Sequence, residues 1–382
     1  MNIYKKKKII SAFLLSSFLD TIGFNNGNWE FNWNQKISSL EKALYYQHIY
    51  FYQFFINGGF SKYSIKKKKA SDDTILMLAT TKALIKGGKK KDFIKEYIKI
   101  LPELKKLERG AGYATLSGII NWKKLNKDVA YHMSLGGNGA AIRTGPIGLY
   151  YNKEKNIDKL IKCALDASII THNYIIGYLG GLTVAYFASL AYRNIEPWKW
   201  VKLLLDLEKS GKIEMYFKDK KKLKQYNKDK YIFWDKWKEY QESRLSRFTN
   251  QYNFVMPDYR LKYISKNFSP QIFSNDEEHW EQLGSSGLDS IIWALDSIIL
   301  SLQPLPNKIL DLENSKTYTW NWETLLTTST LHAGDNDSTG AIAGFLWGSF
   351  IGEYKITLDQ ENDLEFIKEL KKYSNLMINK IE

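Results

Sequence analysis

Apolar residues along the chain fall into runs at helical spacing, separated by short polar segments rich in glycine, asparagine and lysine. The run 75–85 is rich in apolar residues and is followed by Gly87 and Gly88, which predicts a helix that ends at these glycines. The segment 177–187 has a face of small residues, and 288–303 is amphipathic with prolines at its end. No run alternates apolar and polar residues as a strand does, and no segment repeats at a fixed period. The pattern therefore predicts an all-α chain.

The first twenty residues place a basic segment before an apolar one. Lysines at 5–8 precede the apolar run 9–19, an order that is also typical of a secretory signal. No small-x-small cleavage pattern precedes Asp20, and the run is too short to cross a bilayer. Both features argue against a signal peptide and against a membrane anchor.

Composition indicates a sizeable core and a basic surface. Of the 382 residues 44% are hydrophobic, and the formal net charge of +14 comes almost wholly from lysine. Lysine runs such as 5–8 and 66–69 usually coat solvated surfaces, whereas nucleic-acid binding prefers arginine-rich patches with interleaved aromatics. We therefore do not expect a nucleic acid as the main partner, although a basic surface attracts anionic nucleotides.

The chain contains one cysteine, Cys163, within an apolar run. A single cysteine excludes an intramolecular disulfide and favours a reducing, cytoplasmic location. Its apolar surroundings favour a small core residue over a nucleophile.

Two short acidic segments stand at the predicted starts of helices. Carboxylate and hydroxyl oxygens are the donors that hard cations such as Mg²⁺ take, and adjacent carboxylates repel unless a cation or a proton neutralises them. Asp and Ser are also common helix N-caps, so capping alone is the alternative for each segment. Two such segments in one chain can converge to enclose a two-metal site. The candidate ligands are Ser71, Asp72, Asp73, Asp335, Asp337 and Ser338.

A glycine-rich segment, 134–143, is predicted to open a further helix. Its backbone N–H groups can hold a pyrophosphate, because N–H groups at a helix start attract anions. The segment matches neither the P-loop nor the dinucleotide-binding fingerprint, so its glycine content alone does not identify a ligand.

Seven short motifs are spread along the chain. They are NGNWEF at 26–31, SDDT at 71–74, GNGAAIR at 137–143, TH at 171–172, GYLG at 177–180, GSSG at 284–287 and HAGDNDSTGAIAG at 332–344. They occur in the order seen in ADP-ribosylglycohydrolases, and the chain most closely resembles the ADP-ribosylarginine hydrolase branch from about residue 10 to about residue 355. The resemblance implies a single orthogonal multi-helix domain over 1–382, with the run 9–19 as its buried first helix.

The resemblance also implies roles for individual residues. It implies two Mg²⁺ ions, with Mn²⁺ as an alternative, at the six candidate ligands named above. It implies proton transfer by Asp72, Asp73 or Glu30, the last on a loop near the metals. The residues implied to contact ADP-ribose are Ser134, Gly136, Gly137, Asn138, Gly139, His172, Ser285, Ser286 and Gly287.

The chain departs from the branch at two places. Asn173 and Tyr174 follow His172 where the branch usually has further His and a Pro, and Leu288 follows the GSSG motif where His is usual. Both changes affect the polar contacts expected with the ligand, and neither affects a candidate metal ligand. Without the resemblance, His172 would more often be a satisfied core histidine than a ligand contact.

The resulting hypothesis is a Mg²⁺-dependent hydrolase that removes ADP-ribose from modified arginine side chains of proteins, with free ADP-ribose as product. A hydrolase of ADP-ribosyl-serine or other ADP-ribose conjugates is the alternative of the same class. A catalytically weak ADP-ribose-binding module is the alternative of another class, and it is disfavoured because all six candidate ligands are present. A structural or nucleic-acid-associated protein would rest on basicity alone. We expect a monomer that does not associate with membranes.

Overall fold

The fold is given by a computed structural model of the chain, which describes residues 3–30, 37, 39–246, 257–269, 282–304, 315, 317–353 and 355–381. Nearly all secondary structure in these residues is α-helical, so the predicted all-α class is confirmed. The helix predicted over 75–85 is also confirmed, and its C-cap is Gly87. Phe31, the last residue of the first motif, lies outside the described residues.

The helices and strands are numbered here in chain order. The α-helices are α1 Ile3–Phe24, α2 Leu40–Ile56, α3 Gly59–Lys62, α4 Asp72–Lys86, α5 Lys90–Leu104, α6 Tyr113–Leu125, α7 Ala141–Tyr150, α8 Ile157–Ile169, α9 Ile175–Tyr192, α10 Trp200–Lys209, α11 Lys212–Asp219, α12 Leu223–Asp229, α13 Tyr231–Tyr240, α14 Pro257–Phe268, α15 Asp289–Leu300, α16 Trp322–Thr330, α17 Asn336–Ile351, α18 Leu358–Asn362 and α19 Ile367–Ile381. The strands are β1 Leu302–Pro304 and β2 Tyr318–Trp320.

α1 and α17 form the central helix pair, and three glycines one turn apart on α17 face α1. We call Gly340, Gly344 and Gly348 the glycine stripe. A Cβ on Gly344 would lie 2.4 Å from the Leu15 carbonyl oxygen, and one on Gly348 would lie 2.5 Å from the Ala12 nitrogen. Higher numbers on α17 meet lower numbers on α1, so the two helices run antiparallel. Only glycine lets the two backbones approach this closely.

The other long helices pack around this pair. α9 packs against α7, α8 and α17, and α4 packs against α5, α7 and α19. By length and composition α9 is apolar enough to cross a membrane, but 94% of this helix is buried inside the protein. A helix that is apolar on all sides and enclosed by others is typical of a protein core. The cytoplasmic location stays a prediction.

The buried apolar side chains form one cluster that runs from Ile9 in α1 to Ile378 in α19. The apolar run 9–19 therefore lies in a buried first helix, as the resemblance implied. Cys163 belongs to the same cluster, and burial raises the pKa of its thiol. A buried thiol with a raised pKa is a weak nucleophile, which agrees with its predicted place in the core.

The surface position expected for the lysines at 5–8 is wrong for Lys8, which is fully buried. Its Nζ donates to the Ala191 carbonyl oxygen at 3.1 Å and to Asn194 Oδ1 at 2.5 Å, at the C-terminal end of α9. The last carbonyl groups of a helix carry partial negative charge and attract an ammonium group. Burial lowers the pKa of Lys8 to about 7.

The prediction that the amphipathic segment 288–303 forms a single helix is also wrong for its last residues. α15 ends at Leu300, and the chain then forms β1, which pairs antiparallel with β2 so that Gln303 lies opposite Thr319. Pro304 has no N–H with which to continue a helix. In the described residues, these two strands form one two-stranded β-sheet.

We expect Gly344→Val to destabilise the fold. A side chain at this position meets the backbone of α1, which cannot move without separating the central helix pair. The overpacking should lower the free energy of unfolding by about 2–3 kcal/mol, measured by chemical denaturation. Gly112→Val is the control, since a Cβ there would meet nothing within 4 Å and the backbone is extended. Equal stability of the two variants would contradict the close helix contact.

Candidate active site

The two acidic segments stand at the starts of α4 and α17, which contact each other. Ser71 caps α4 by accepting a hydrogen bond from the Asp73 N–H at 3.1 Å. Asp335 caps α17 by accepting one from the Ser338 N–H at 3.3 Å. The capping role considered for each segment therefore exists in the structure. Capping accounts for Ser71 and Asp335, but it gives no reason for the carboxylates of Asp72, Asp73 and Asp337.

A further aspartate, Asp20, lies directly behind the two helix starts, and no sequence motif singled it out. Its carboxylate accepts hydrogen bonds from the N–H groups of Ser71 and Thr74 at 3.1 and 3.2 Å, and from the Thr74 hydroxyl. It is fully buried near the C-terminal end of α1. An acidic residue at the end of an apolar run is the sequence signal that could have found it, because a buried carboxylate needs partners.

Burial raises the pKa of all five aspartates at this point, and the charge of a neighbouring aspartate raises the pKa of four of them further. Burial, and then the charge of Asp337, raises the pKa of Asp20 to about 7, and burial raises the pKa of Asp335 to about 6. The same two causes raise the pKa of Asp72 and that of Asp73 well above the ordinary value. Five buried carboxylates cannot all stay ionised near neutral pH unless a cation joins them.

The cluster fits a hard cation in the chemistry of its donors. One oxygen of Asp73 and one of Asp337 are buried and have no hydrogen-bond partner among the described residues. Such oxygens are costly to bury, and a divalent cation would satisfy them. No three acidic, histidine or cysteine side chains in the described ranges converge closely enough to hold an ion as they stand. The fit is therefore one of donor type and charge, without a preformed coordination geometry.

The two glycine-rich loops are joined to each other and to the acidic cluster. The Asn138 N–H donates to the Ser285 carbonyl oxygen at 2.9 Å, and the Gly287 N–H donates to the Gly136 carbonyl oxygen at 3.0 Å. The Asn138 side-chain amide donates to Asp335 Oδ2 at 2.8 Å. One residue thus connects both loops to a candidate metal ligand. The Asn138 N–H is already bonded and cannot serve a pyrophosphate.

Asp289 holds the second glycine-rich loop in place. Its carboxylate accepts hydrogen bonds from the Gly284 N–H at 2.9 Å, the Ser286 N–H at 3.0 Å and the Ser286 hydroxyl at 2.6 Å. The Ser286 side chain is therefore used to cap its own loop. Leu288, which stands where the branch usually has His, is buried in the core.

His172 lies in the wall formed by the first glycine-rich loop. Its Nδ1 is 2.7 Å from the Thr171 hydroxyl, which accepts a hydrogen bond from Arg143 Nη2 at 2.7 Å. Burial, and then the positive charge of Arg143, holds the pKa of His172 well below its usual range. The ring is therefore neutral. Arg143 is itself fully buried and lies over the Tyr97 ring at 4.8 Å, so it shapes this wall from behind.

Glu30 faces the cavity from the other side and is 4% exposed. The neighbouring Trp29 anchors its loop, since the indole N–H donates to Gln53 Oε1 at 2.8 Å and the carbonyl oxygen accepts from Asn336 Nδ2 at 2.9 Å. Asn336 belongs to the second acidic segment. The Glu30 loop is therefore bonded directly to the helix start that carries candidate metal ligands.

All these groups surround one cavity of about 600 Å³, a volume typical of small-ligand sites. The predicted residues that line it are Glu30, Asp72, Asp73, Ser134, Gly137, Asn138, Gly139, His172, Ser285, Asp335, Asp337 and Ser338. The predicted residues that lie behind its wall are Ser71, Gly136, Ser286 and Gly287. Most candidates from dispersed motifs therefore share one cavity, and the four others support residues that line it.

The all-α fold agrees with the comparison to known protein families. The model of the ADP-ribosylglycohydrolase family matches residues 5–379, so the chain belongs to this family. It is a member of a class of hydrolases that act on ADP-ribose conjugates.

Individual relatives support the same assignment. ADP-ribosylhydrolase ARH1 of Dictyostelium discoideum is 30% identical over 389 residues, which cover 92% of this chain and 88% of that protein. A protein of Acanthamoeba polyphaga mimivirus named as an ADP-ribosyl glycohydrolase is 29% identical over 385 residues, which cover 95% of this chain and 67% of that protein. A solved structure of an ADP-ribosylglycohydrolase-related protein complex has a TM-score of 0.54, covers 99% of both chains and is 15% identical, which supports the fold alone.

Asp337→Asn should stabilise the metal-free protein, and the gain should grow as the pH rises. Burial, and then the charge of Asp335, raises the pKa of Asp337 well above its ordinary value. The folded chain therefore loses stability as the pH rises above about 4, where the same group ionises in the unfolded chain. Removing the carboxylate removes this loss. Melting temperatures in the presence of a chelator, from pH 4 to pH 8, measure the difference between variant and wild type.

Asp166→Asn is the matched control for this experiment. Asp166 is also buried, but it pairs with Lys162 at 2.5 Å and accepts a hydrogen bond from the Tyr216 hydroxyl at 2.9 Å. Its replacement should give no stabilisation at any pH. A melting temperature of Asp337→Asn at or below that of the wild type at pH 8 would disprove the repulsion within the cluster.

Proposed function

We propose that the chain hydrolyses the N-glycosidic bond between ADP-ribose and an arginine side chain of a modified protein, with two Mg²⁺ ions as cofactors. The observation that carries the proposal is the convergence of the acidic cluster, Glu30 and both glycine-rich loops on one cavity. Membership of a family of ADP-ribose-conjugate hydrolases supports this chemistry.

The two walls of the cavity differ in chemistry, and this difference suggests how ADP-ribose would lie. One wall is built from Gly137, Gly139 and the neutral ring of His172. Small residues and backbone groups allow a diphosphate to approach closely without a charged side chain. The other wall carries Glu30 beside the acidic cluster. The diphosphate would follow the glycine wall, and the ribose attached to arginine would face the carboxylates.

Hydrolysis requires a water oxygen to bond to the anomeric carbon while the bond to the guanidine nitrogen breaks. The water gives up one proton and the leaving nitrogen gains one. Glu30 lines the cavity but lies outside the proposed set of metal ligands, so it can take the proton of the water while the aspartates stay ionised. Asp72 and Asp73 lie on the same cavity and are the alternatives for this transfer.

The proposed Mg²⁺ ions match the oxygen donors and the excess negative charge of the acidic cluster. When bound, they would act as Lewis acids that orient the ribose hydroxyls and lower the pKa of a bound water. The residues proposed to hold them are Ser71, Asp72, Asp73, Asp335, Asp337 and Ser338.

Two observations favour arginine over serine as the modified residue. The carboxylate of Glu30, which lies outside the proposed metal ligands, lines this end of the cavity and would stabilise a cationic guanidinium leaving group better than a neutral hydroxyl. The segment that carries Glu30 resembles the arginine-hydrolase branch. Serine-linked ADP-ribose remains the second substrate to test.

The purified protein should release ADP-ribose from ADP-ribosyl-arginine peptides with Mg²⁺ and lose this activity after chelation. Asp337→Asn should reduce turnover by about 100-fold or more while the helical spectrum is retained, because it removes an anionic ligand. Parallel assays on ADP-ribosyl-serine peptides measure the linkage preference. Full turnover after exhaustive chelation would refute the metal requirement, and faster cleavage of the serine linkage would refute the arginine assignment.

Asp166→Asn serves again as the control, since it removes a buried carboxylate that does not line the cavity. It should retain turnover close to that of the wild type. Equal losses of turnover in both variants would mean that the loss does not depend on removing a carboxylate from the cavity, and would contradict the role proposed for Asp337.

ADP-ribose itself should bind as product and raise the melting temperature. Binding to the folded chain alone stabilises it by about 2.7 kcal/mol at a ligand concentration 100 times the dissociation constant. Differential scanning fluorimetry and calorimetry with millimolar ADP-ribose measure the effect, with ribose 5-phosphate as a control that lacks the diphosphate. No thermal shift and no heat of binding would mean that the cavity binds another ligand.

A further inference from the structure

The entrance of the cavity has an exposed rim made of the connection between α5 and α6. Lys105, Lys106 and Leu107 line the cavity and are exposed, and Tyr113 lines it at the start of α6. We call these four residues the rim. The Leu107 side chain is 101% exposed and that of Tyr113 is 73% exposed.

The rim adjoins the wall that carries Glu30. A Cβ on Gly110, within the same connection, would lie 2.8 Å from Glu30 Oε2. Glu108, also in this connection, pairs with Lys69, whose N–H donates to Asn26 Oδ1 in the Glu30 loop at 2.8 Å. Because the scissile bond would lie at the Glu30 wall, the leaving group and the chain attached to it must pass the rim.

The charges of the rim leave a positive excess. Lys105 makes no ion pair with any residue in the described part of the chain, and Lys106 pairs with the half-exposed Glu103 at 2.7 Å. Glu103 also pairs with Arg109, and the other acidic side chain beside them, Glu108, pairs with Lys69. An exposed leucine next to unmatched lysine charge offers apolar contact and an attraction for anionic groups together. The net charge of +14 adds a long-range attraction of the same sign.

We propose that the rim binds the polypeptide of the modified protein and favours substrates with acidic residues beside the modified side chain. This proposal rests on the proposed function, since it takes the Glu30 wall as the place of the scissile bond. The apolar side chains of Leu107 and Tyr113 contact the peptide without regard to its charge. The two lysines select its charge.

The test compares two double variants that change the net charge equally. Lys105→Glu/Lys106→Glu reverses the rim, and Lys123→Glu/Lys124→Glu reverses an exposed lysine pair in the last turn of α6 that does not line the cavity. Each is assayed on free ADP-ribosyl-arginine and on two ADP-ribosylated peptides, one with aspartates and one with lysines flanking the modified arginine. The measured quantity is kcat/KM on each peptide divided by kcat/KM on the free conjugate.

We expect the wild type to favour the aspartate-flanked peptide. In the rim variant, kcat/KM on this peptide relative to the free conjugate should fall about tenfold, because two weak attractions become repulsions. The α6 variant should stay within about twofold of the wild type, since its charges act only through a screened field. Equal ratios in the two variants, or no preference in the wild type, would overturn the proposal.

Failure of the proposed function gives a different result. If the wild type cleaves neither the free conjugate nor the peptides, hydrolysis of the arginine linkage is wrong, and the dissociation constants of the same peptides still decide whether the rim selects charge.

Leu107→Ser should weaken the binding of both peptides alike, by about threefold to tenfold, because it removes an apolar contact that does not depend on charge. An ADP-ribosylated oligonucleotide is the competing ligand. If it binds the wild type more tightly than the acidic peptide does, and if the rim variant loses this binding, the rim binds a nucleic acid. The proposal that the rim binds a polypeptide would then be overturned.

Discussion

The antiparallel contact between α1 and α17 determines where the acidic residues of the chain can meet. The glycine stripe brings the two backbones into direct contact, so the end of α1 and the start of α17 lie at the same level. Asp20 and Asp337 are thereby within electrostatic range of each other, and Asp20 also receives the first N–H groups of α4. A larger residue in the stripe would displace the geometry of the site together with the core.

The acidic cluster at the starts of α4 and α17 carries more negative charge than the surrounding positive charge can balance. Two helix N-termini contribute partial positive charges equivalent to about half a unit each, whereas the carboxylates of Asp20, Asp72, Asp73, Asp335 and Asp337 are buried there together. Protons compensate the difference in the metal-free protein, and a divalent cation is the natural competitor for them. Such a site is kept at some cost to the stability of the fold, as is common where binding requires unmatched charge.

Each wall of the cavity is tied to this cluster by its own hydrogen bonds. Asn138 connects the glycine wall to Asp335, and Asn336 connects the Glu30 loop to the start of α17. Asn336 belongs to a motif that is conspicuous for its carboxylates, and Asn138 belongs to one that is conspicuous for its glycines. Their bonds mean that the position of a ligand along the cavity depends on the same helix start that would hold a cation, which supports a rigid arrangement of the reacting groups.

The sequence alone determined the all-α class and the helix over 75–85, because both depend on residue spacing within one or two turns. The motifs, and the family resemblance that they carry, also predicted twelve of the residues that line the cavity. Only the tertiary structure showed that Asp20 joins the cluster, since its bond to Ser71 spans 51 positions of the chain. It also placed Ser286 behind the wall and buried Lys8 at the end of a helix 183 positions away. Local pattern reports which groups are chemically able to act, whereas packing between distant segments decides which of them share a space.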